Sequence, residues 1–519
     1  MYNNEHRRSL GRVRSRRWRQ GQQGTVVFVI IGLALATVAW LALVFAPTNN
    51  PCWHKFQEWQ GSPAMFPWQG LEDEENERDG DDNKGIPVIA SSRFGGGTNR
   101  SHDLALKDIV FGIAGSAQLW PRRQEFVKLW WSPGHMRGFV WLEEAVKGYN
   151  SSELWPPVRI SEDISRFRYT NPTGHPSGLR IARIIQESFR MGLPDVKWFV
   201  LGDDDTIFNS HNLVAVLNKY DPSEMYYIGN PSESHSANTY FSHSMAFGGG
   251  GIAISYPLAE ALAEMMDECL ERYPQLFGSD DRLHACISEI GVPLTREPGF
   301  HQMDIRGNAF GFLAAHPIAP FVSMHHVEAI NPIFPQRNPL DGLRHLTEAM
   351  KTEPTSFLQR SICYDLKSQL SFSVSMGYVV QVFPKIVYPR VLERPELTFK
   401  AWNKKEIAEE FDFDSRRPYK SFCRKPFLFF LKDIHRNEAN MVVSTYKRDE
   451  ATDNMKRKAF CFSWALPPQK VQEIQVINKP VNENWHLTPR RQCCKLTGIQ
   501  NKVLGITVMP CEQRESSSV

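Results

Sequence analysis

The sequence predicts an α/β fold, a mostly parallel sheet with flanking helices, followed by a mainly β C-terminal module. Three features carry that prediction. Trp198-Phe199-Val200-Leu201 is an apolar run that ends at Gly202 in the three acids Asp203-Asp204-Asp205, which reads as a strand buried on both faces with its end at a sheet rim. Strand-like runs alternate with amphipathic helical spacing from residue 105 to 335, the pattern of a parallel sheet. From 336 to 519 that alternation gives way to short β-type runs with poor helical periodicity.

The chain has 519 residues, 42% of them hydrophobic and 12% aromatic, enough for two cores and tails. Its net charge of +3 gives no global field that would attract nucleic acid, so the charge that matters is local. Residues 1–24 carry seven arginines against one acid, Glu5. Such an arm suits nucleic acid or the cytosolic flank of a membrane span, and the next segment decides between them. Thr25–Ala46 is twenty-two residues without a charge, enough to cross a bilayer core of about 30 Å. It exceeds the apolar core of a cleaved signal peptide, about 7–15 residues. The arginines precede it, so the expected topology is single-pass type II, with everything after residue 46 across the membrane.

Residues 47–104 read as a stem: Leu71–Lys84 holds eight acids, and Gly95-Gly96-Gly97 follows. Asn99-Arg100-Ser101 and Asn150-Ser151-Ser152 are glycosylation sequons. Asp108–Ala114 and Gly138–Leu142 are predicted strands, Pro121–Trp131 and Leu179–Met191 predicted helices, and Met225–Ile228 a further strand. Past residue 335, strands are predicted over 371–382, 385–392 and 397–402, with others near Phe427, Val442, Phe460 and Val471. Nine cysteines include no CxxC pair, which argues against a zinc ribbon; five lie beyond position 420, where an oxidising lumen would favour disulfides.

Three adjacent carboxylates repel one another, and a fold that gathers them commonly neutralises them with a hard cation such as Mg²⁺ or Mn²⁺. The plainer alternative is a solvated acidic turn ahead of the next helix. Gly248-Gly249-Gly250-Gly251 stands between apolar runs, where glycine lets backbone approach a ligand closely, although a linker would also use it. Asp280 and Asp281 stand at a predicted helix start, as an N-cap or as acid–base groups. His301, His325 and His326 are the downstream nitrogen candidates.

In this order, Trp198-Phe199 with Asp203-Asp204-Asp205, Gly248 to Ser255, Ser279-Asp280-Asp281 and Ser323-Met324-His325 resemble the motifs of fringe and the related inverting β-1,3-glycosyltransferases, and the longer chain resembles the plant fringe-related branch with its C-terminal extension. The likeness covers Asp108 to Glu328. It implies a GT-A fold at 105–335, a UDP-sugar donor, Mn²⁺ with Mg²⁺ as substitute, a glycan or glycoprotein acceptor and a Golgi location. It further implies that Asp203 lies near the ribose, with Asp204 and Gly248–Gly251 at the nucleotide, that Asp205 and His325 bind metal, and that Asp281 is the catalytic base. Gly250 and Met324 depart from the family's commoner alanine and aromatic. A metal-dependent hydrolase and a non-catalytic glycan-binding protein are the alternative readings.

Overall fold

Parallel strand pairing organises the first part of the fold, seen in a computed structural model that describes residues 104–148, 154–402, 411–452, 461, 466 and 470–516. These residues all fall within one compact unit, Gly96–Val519. The basic segment, the apolar span Thr25–Ala46, the acidic stem and the sequons at Asn99 and Asn150 lie outside the described residues. Among the described residues no helix is long and apolar enough to cross a membrane.

The first sheet contains β1 (Ile109–Ala114), β2 (Arg137–Leu142), β3 (Val158–Ile160), β4 (Trp198–Asp203), β5 (Tyr227–Gly229), β6 (Ile252–Ser255) and β7 (Leu294–Arg296). Their spatial order is β3-β2-β1-β4-β6-β5-β7. The first four are mutually parallel, β6 runs antiparallel to both its neighbours, and β5 pairs in parallel with β7. The fold class is therefore mixed α/β with a largely parallel sheet. Alternation along β4 explains why it reads as a continuous apolar run: Trp198 and Val200 enter one core, while Phe199 and Leu201 enter the other, against Leu258, Leu262 and Met266.

Four helices matter to the site: α1 (Trp120–Val127), α2 (His235–Tyr240), α3 (Tyr256–Arg272) and α4 (Ser279–Ile290). The helix expected over 179–191 is interrupted at Arg183, giving Ser177–Ala182 and Ile184–Arg190. The Arg183 side chain is fully buried and shared among Glu162 at 2.6 Å, Asp267 at 2.8 Å and Glu187 at 3.2 Å.

Past residue 335 the structure differs from the expectation in three places. Pro339–Thr352 is an α-helix: Asn338 caps it by accepting from Asp341 N at 2.8 Å, proline occupies its first position, and Leu343, Leu346, Ala349 and Met350 are buried. Lys385–Leu392 is no strand, because Pro384 and Pro389 deprive the backbone of donors, and Pro389 instead opens a short helix, Pro389–Leu392. Residues 371–382 form a hairpin, Leu370–Ser375 and Val379–Phe383, turning at Gly377 with φ of 78°. These strands belong to an eight-stranded sheet between Arg360 and Met509, antiparallel apart from one parallel pair. Its apolar residues join the same core as β1 and β4, with Tyr378 packed against Phe334 and Phe310 at ring separations of 5.5 and 6.2 Å.

Disulfides join Cys269–Cys286, Cys363–Cys494, Cys423–Cys461 and Cys493–Cys511. The first ties α3 to α4, the helix that begins at Asp280 and Asp281. It closes 17 residues, so replacing both cysteines by serine should destabilise the unit by about 3 kcal/mol. Chemical unfolding of the double variant beside the parent measures this; an unchanged midpoint would show that the α3–α4 packing alone holds the helix.

Candidate active site

The site forms where β4 ends. Asp204 N donates to Ala114 O of β1 at 2.9 Å, which locks the acid turn onto the neighbouring strand. Thr206 Oγ1 then accepts from Asp203 N at 2.9 Å and donates to Gly249 O at 2.7 Å, fastening the turn to the glycine loop. A two-residue antiparallel pairing completes it. Ile207–Phe208 aligns with Ser323–Met324, Met324 opposite Ile207, so the next residue, His325, arrives beside Asp205.

Asp203, Asp205 and His325 converge, their ligand-type atoms all within 4.8 Å of one another. His325 Nε2 lies 3.2 Å from Asp205 Oδ1 and 3.3 Å from Asp203 Oδ2. Asp205 Oδ1 is buried and meets no donor apart from His325 Nε2. Two carboxylates and one imidazole gathered this closely suit Mn²⁺ or Mg²⁺, so these residues fit a divalent cation.

Asp204 is turned into the protein, 1% exposed, with Oδ1 held by Arg123 Nη1 at 2.6 Å. Arg123 Nη2 also reaches Asp205 Oδ2 at 3.4 Å and Glu328 Oε2 at 3.2 Å. Of the glycines, Gly249 passes so close to His325 that a Cβ there would fall 2.2 Å from the imidazole, and a Cβ on Gly248 would meet Asp280 Oδ1 at 2.5 Å. Gly250 N donates to Gln302 Oε1 at 2.7 Å, and Gly251 takes a φ of 98°. Close packing on the site, rather than a linker, thus occupies the glycine run.

Asp280 and Asp281 lie in the first turn of α4 and both line the large cleft beside the cluster. Asp280 sits against Gly248, whereas Asp281 Oδ2 accepts from Phe277 N at 3.4 Å. His301 is elsewhere, buried between Glu233 at 3.0 Å and His316 at 2.9 Å. His326 stacks on His325, and its Nδ1 faces Asp304 at 3.3 Å. Arg123, Glu328 and Trp402, which stacks on His326, are site residues that the sequence places only in ordinary elements or segments.

Residues 237–494 match a family model described as "Protein of unknown function, DUF604". That interval contains the glycine run, Asp280, Asp281, His325 and Trp402, but not the Asp203–Asp205 turn. The chain is similar to the mouse protein named Beta-1,3-glucosyltransferase, 32% identical over 107 residues, 21% of each chain. The human protein of that name is 31% identical over 105 residues, 20% of each chain. The chain therefore spans about a fifth of the length of these curated relatives. Among solved structures, mouse xyloside xylosyltransferase 1 aligns with 39% of this chain and 86% of its own, at 8% identity and a TM-score of 0.25, too loose a likeness to bear on fold or function.

Charge in the site is set by burial and pairing. Burial would raise the Asp205 carboxyl, but His325 and Arg123 outweigh it and bring it down to about 2. Burial would lower His325, yet Asp203 and Asp205 raise it to about 10. Asp204 is pushed up to about 7 by burial, against Arg123. Burial and the nearby Asp203 carboxylate push Asp280 up to about 6.

Two outcomes follow. His325 holds a proton in the metal-free site up to about pH 10, so an incoming cation must displace it, and Mn²⁺ affinity should rise about tenfold per pH unit between roughly pH 6 and 8. Calorimetric titration at both ends checks this; a flat profile would remove His325 from the ligand set. Gly249→Ala, which places Cβ against the His325 ring, should weaken Mn²⁺ binding at least about tenfold in the same calorimetric titration.

Proposed function

We propose that this chain is a metal-dependent inverting glycosyltransferase of the GT-A type, moving a sugar from a UDP-sugar donor to a hydroxyl of a glycan or glycoprotein acceptor with β-1,3 linkage. The observation that carries this is the convergence of Asp203, Asp205 and His325 at the end of β4, with Asp280 lining a small pocket together with Asp203, and Asp280 and Asp281 together lining the large cleft that His326 borders. The printed name of the curated relatives supports the chemistry and the linkage.

Asp205 and His325, with Asp203 beside them, would hold Mn²⁺ or Mg²⁺. The ion supplies charge neutralisation and Lewis-acid stabilisation of the departing diphosphate. Arg123 fixes Asp204 and steadies Asp205, so the ligand carboxylate is aimed before the ion arrives. Gly248–Gly251, packed without side chains against Asp280 and His325, would present backbone to the nucleotide beside the cluster. Asp281, at the start of α4, takes the proton from the acceptor hydroxyl as that oxygen bonds to the anomeric carbon and the carbon–phosphate oxygen bond breaks. One displacement with no covalent enzyme intermediate inverts the anomeric centre.

A second assignment of the base has an observation in its favour. Asp280 is the acid pushed up to about 6, nearer to neutrality, where a base works best, and it lies against Gly248 beside Asp203. We further propose a Golgi membrane location with the catalytic unit luminal, anchored by Thr25–Ala46; four disulfides suit an oxidising compartment.

Incubating the fragment from residue 96 onward with Mn²⁺ and a panel of UDP-sugars tests the reading. UDP binding should require the metal and be abolished by Asp205→Ala. Metal-independent UDP binding, or none with any donor, would refute it. Once an acceptor is found, Asp281→Asn should keep donor affinity and lower kcat by roughly 10²–10⁴-fold. If Asp280→Asn shows that loss while Asp281→Asn turns over normally, the base is Asp280.

A further inference from the structure

The cleft beside the metal-type cluster has a volume of about 1180 Å³, and its aromatic lining includes one residue contributed from beyond the alternating α/β region. Phe399–Ala401 pairs antiparallel with Ile305–Gly307, Ala401 opposite Ile305, and the backbone N–H of the next residue, Trp402, donates to Asp304 O at 3.2 Å. That short pairing lays the Trp402 indole flat on His326, ring centroids 3.9 Å apart and planes 3° apart. His326 lies in turn 3.9 Å from His325, so three rings stack outward from the cluster.

His326 has a φ of 52°, a left-handed backbone unfavourable for a non-glycine residue. The fold maintains that cost at the point where the ring is sandwiched. Trp402 nevertheless remains 41% exposed in the cleft. A large aromatic surface held rigid and left in water marks a binding surface.

We propose that Trp402 is the platform on which a pyranose ring of the acceptor stacks, an inference that rests on the glycosyltransferase reading above. A pyranose presents a C–H face that packs on the electron-rich face of an indole, and a rim of hydroxyls that need acceptors. Carboxylates of Asp280 and Asp281 line the same cleft, with Arg306 as counterweight, while Asp304 there is engaged by Ser232 and His326. That balance repels phosphate and other anions and suits a neutral polyol. Tyr240, itself 65% exposed and packed edge-on against Phe241 at 4.7 Å, extends the aromatic wall for a further sugar.

Saturation-transfer NMR on the fragment from residue 96 onward, loaded with Mn²⁺ and UDP, tests this with methyl β-D-galactopyranoside, methyl β-D-glucopyranoside and methyl α-L-fucopyranoside as probes. At least one glycoside should bind, with saturation strongest at the C–H protons of one ring face. Trp402→Ala should weaken that binding about tenfold, Trp402→Phe should recover part of it, and UDP affinity should change far less in both. Glycoside binding unchanged in Trp402→Ala overturns the proposal. So does UDP binding without any glycoside binding at tens of millimolar, which leaves the donor assignment standing. Parallel loss of UDP and glycoside binding in both variants makes Trp402 a brace for His326 and also overturns it. Failure of the parent to bind UDP with metal refutes the underlying function instead.

Discussion

Repulsion among three consecutive carboxylates is the constraint around which this fold is arranged. Two unit charges about 4 Å apart repel by about 4 kcal/mol at the effective dielectric of a protein surface, and burial makes matters worse. The chain resolves this by dividing the acids. Asp204 goes inward to a guanidinium from α1 that also reaches the buried Asp205, and Asp203 and Asp205 share one imidazole. Each cation comes from far along the sequence, so the acid turn forms only when the sheet, α1 and the 323–325 segment are all in place. The Asp205 oxygen that meets no donor apart from His325 is what that arrangement leaves for a ligand.

Close backbone approach is the second requirement. His325 reaches the carboxylates because the opposite wall at Gly249 has no side chain, and that wall is held by hydrogen bonds through Thr206, Gln302 and Ser323. These hydroxyl and amide contacts join the acid turn, the glycine run and the histidine segment into one network. A displacement of any one segment would disturb the other two, as expected of a buried, mutually satisfied polar network.

How much of this was legible follows from where the signal resides. The Asp203–Asp205 turn, the glycine run and Asp280–Asp281 each stand in a short stretch whose composition is abnormal for its surroundings, so they could be read locally. The Pro339–Thr352 helix was also readable from Asn338-Pro339 and the spacing of Leu343, Leu346 and Met350, but the β-rich texture around it obscured the pattern. Arg123 had no such signal: it lies in an ordinary amphipathic helix, and only the tertiary structure brings it to Asp204, 81 residues away. Division of labour within the acid triplet was invisible for the same reason, since alternation along β4 cannot say which carboxylate will find an inward cation. Trp402 looked like the end of a routine strand, and its meaning depends on the two-stranded pairing that sets it on His326.

The Phe399–Trp402 segment is therefore more than an appendage to the site. Phe399–Ala401 pairs with Ile305–Gly307, whose flanking Asp304 faces His326, so the wall that carries the histidines and the wall that carries the indole share a backbone ladder. Both rest on one apolar core that runs from β1 and β4 through Phe310 and Phe334 to Tyr378 and Phe430. Close-packed cores transmit strain rather than absorb it, and catalytic geometry tolerates errors well under 1 Å. A shared core lets the α/β region and the short Phe399–Ala401 pairing hold opposite sides of one cleft to that tolerance, which independent domains on a linker could not do.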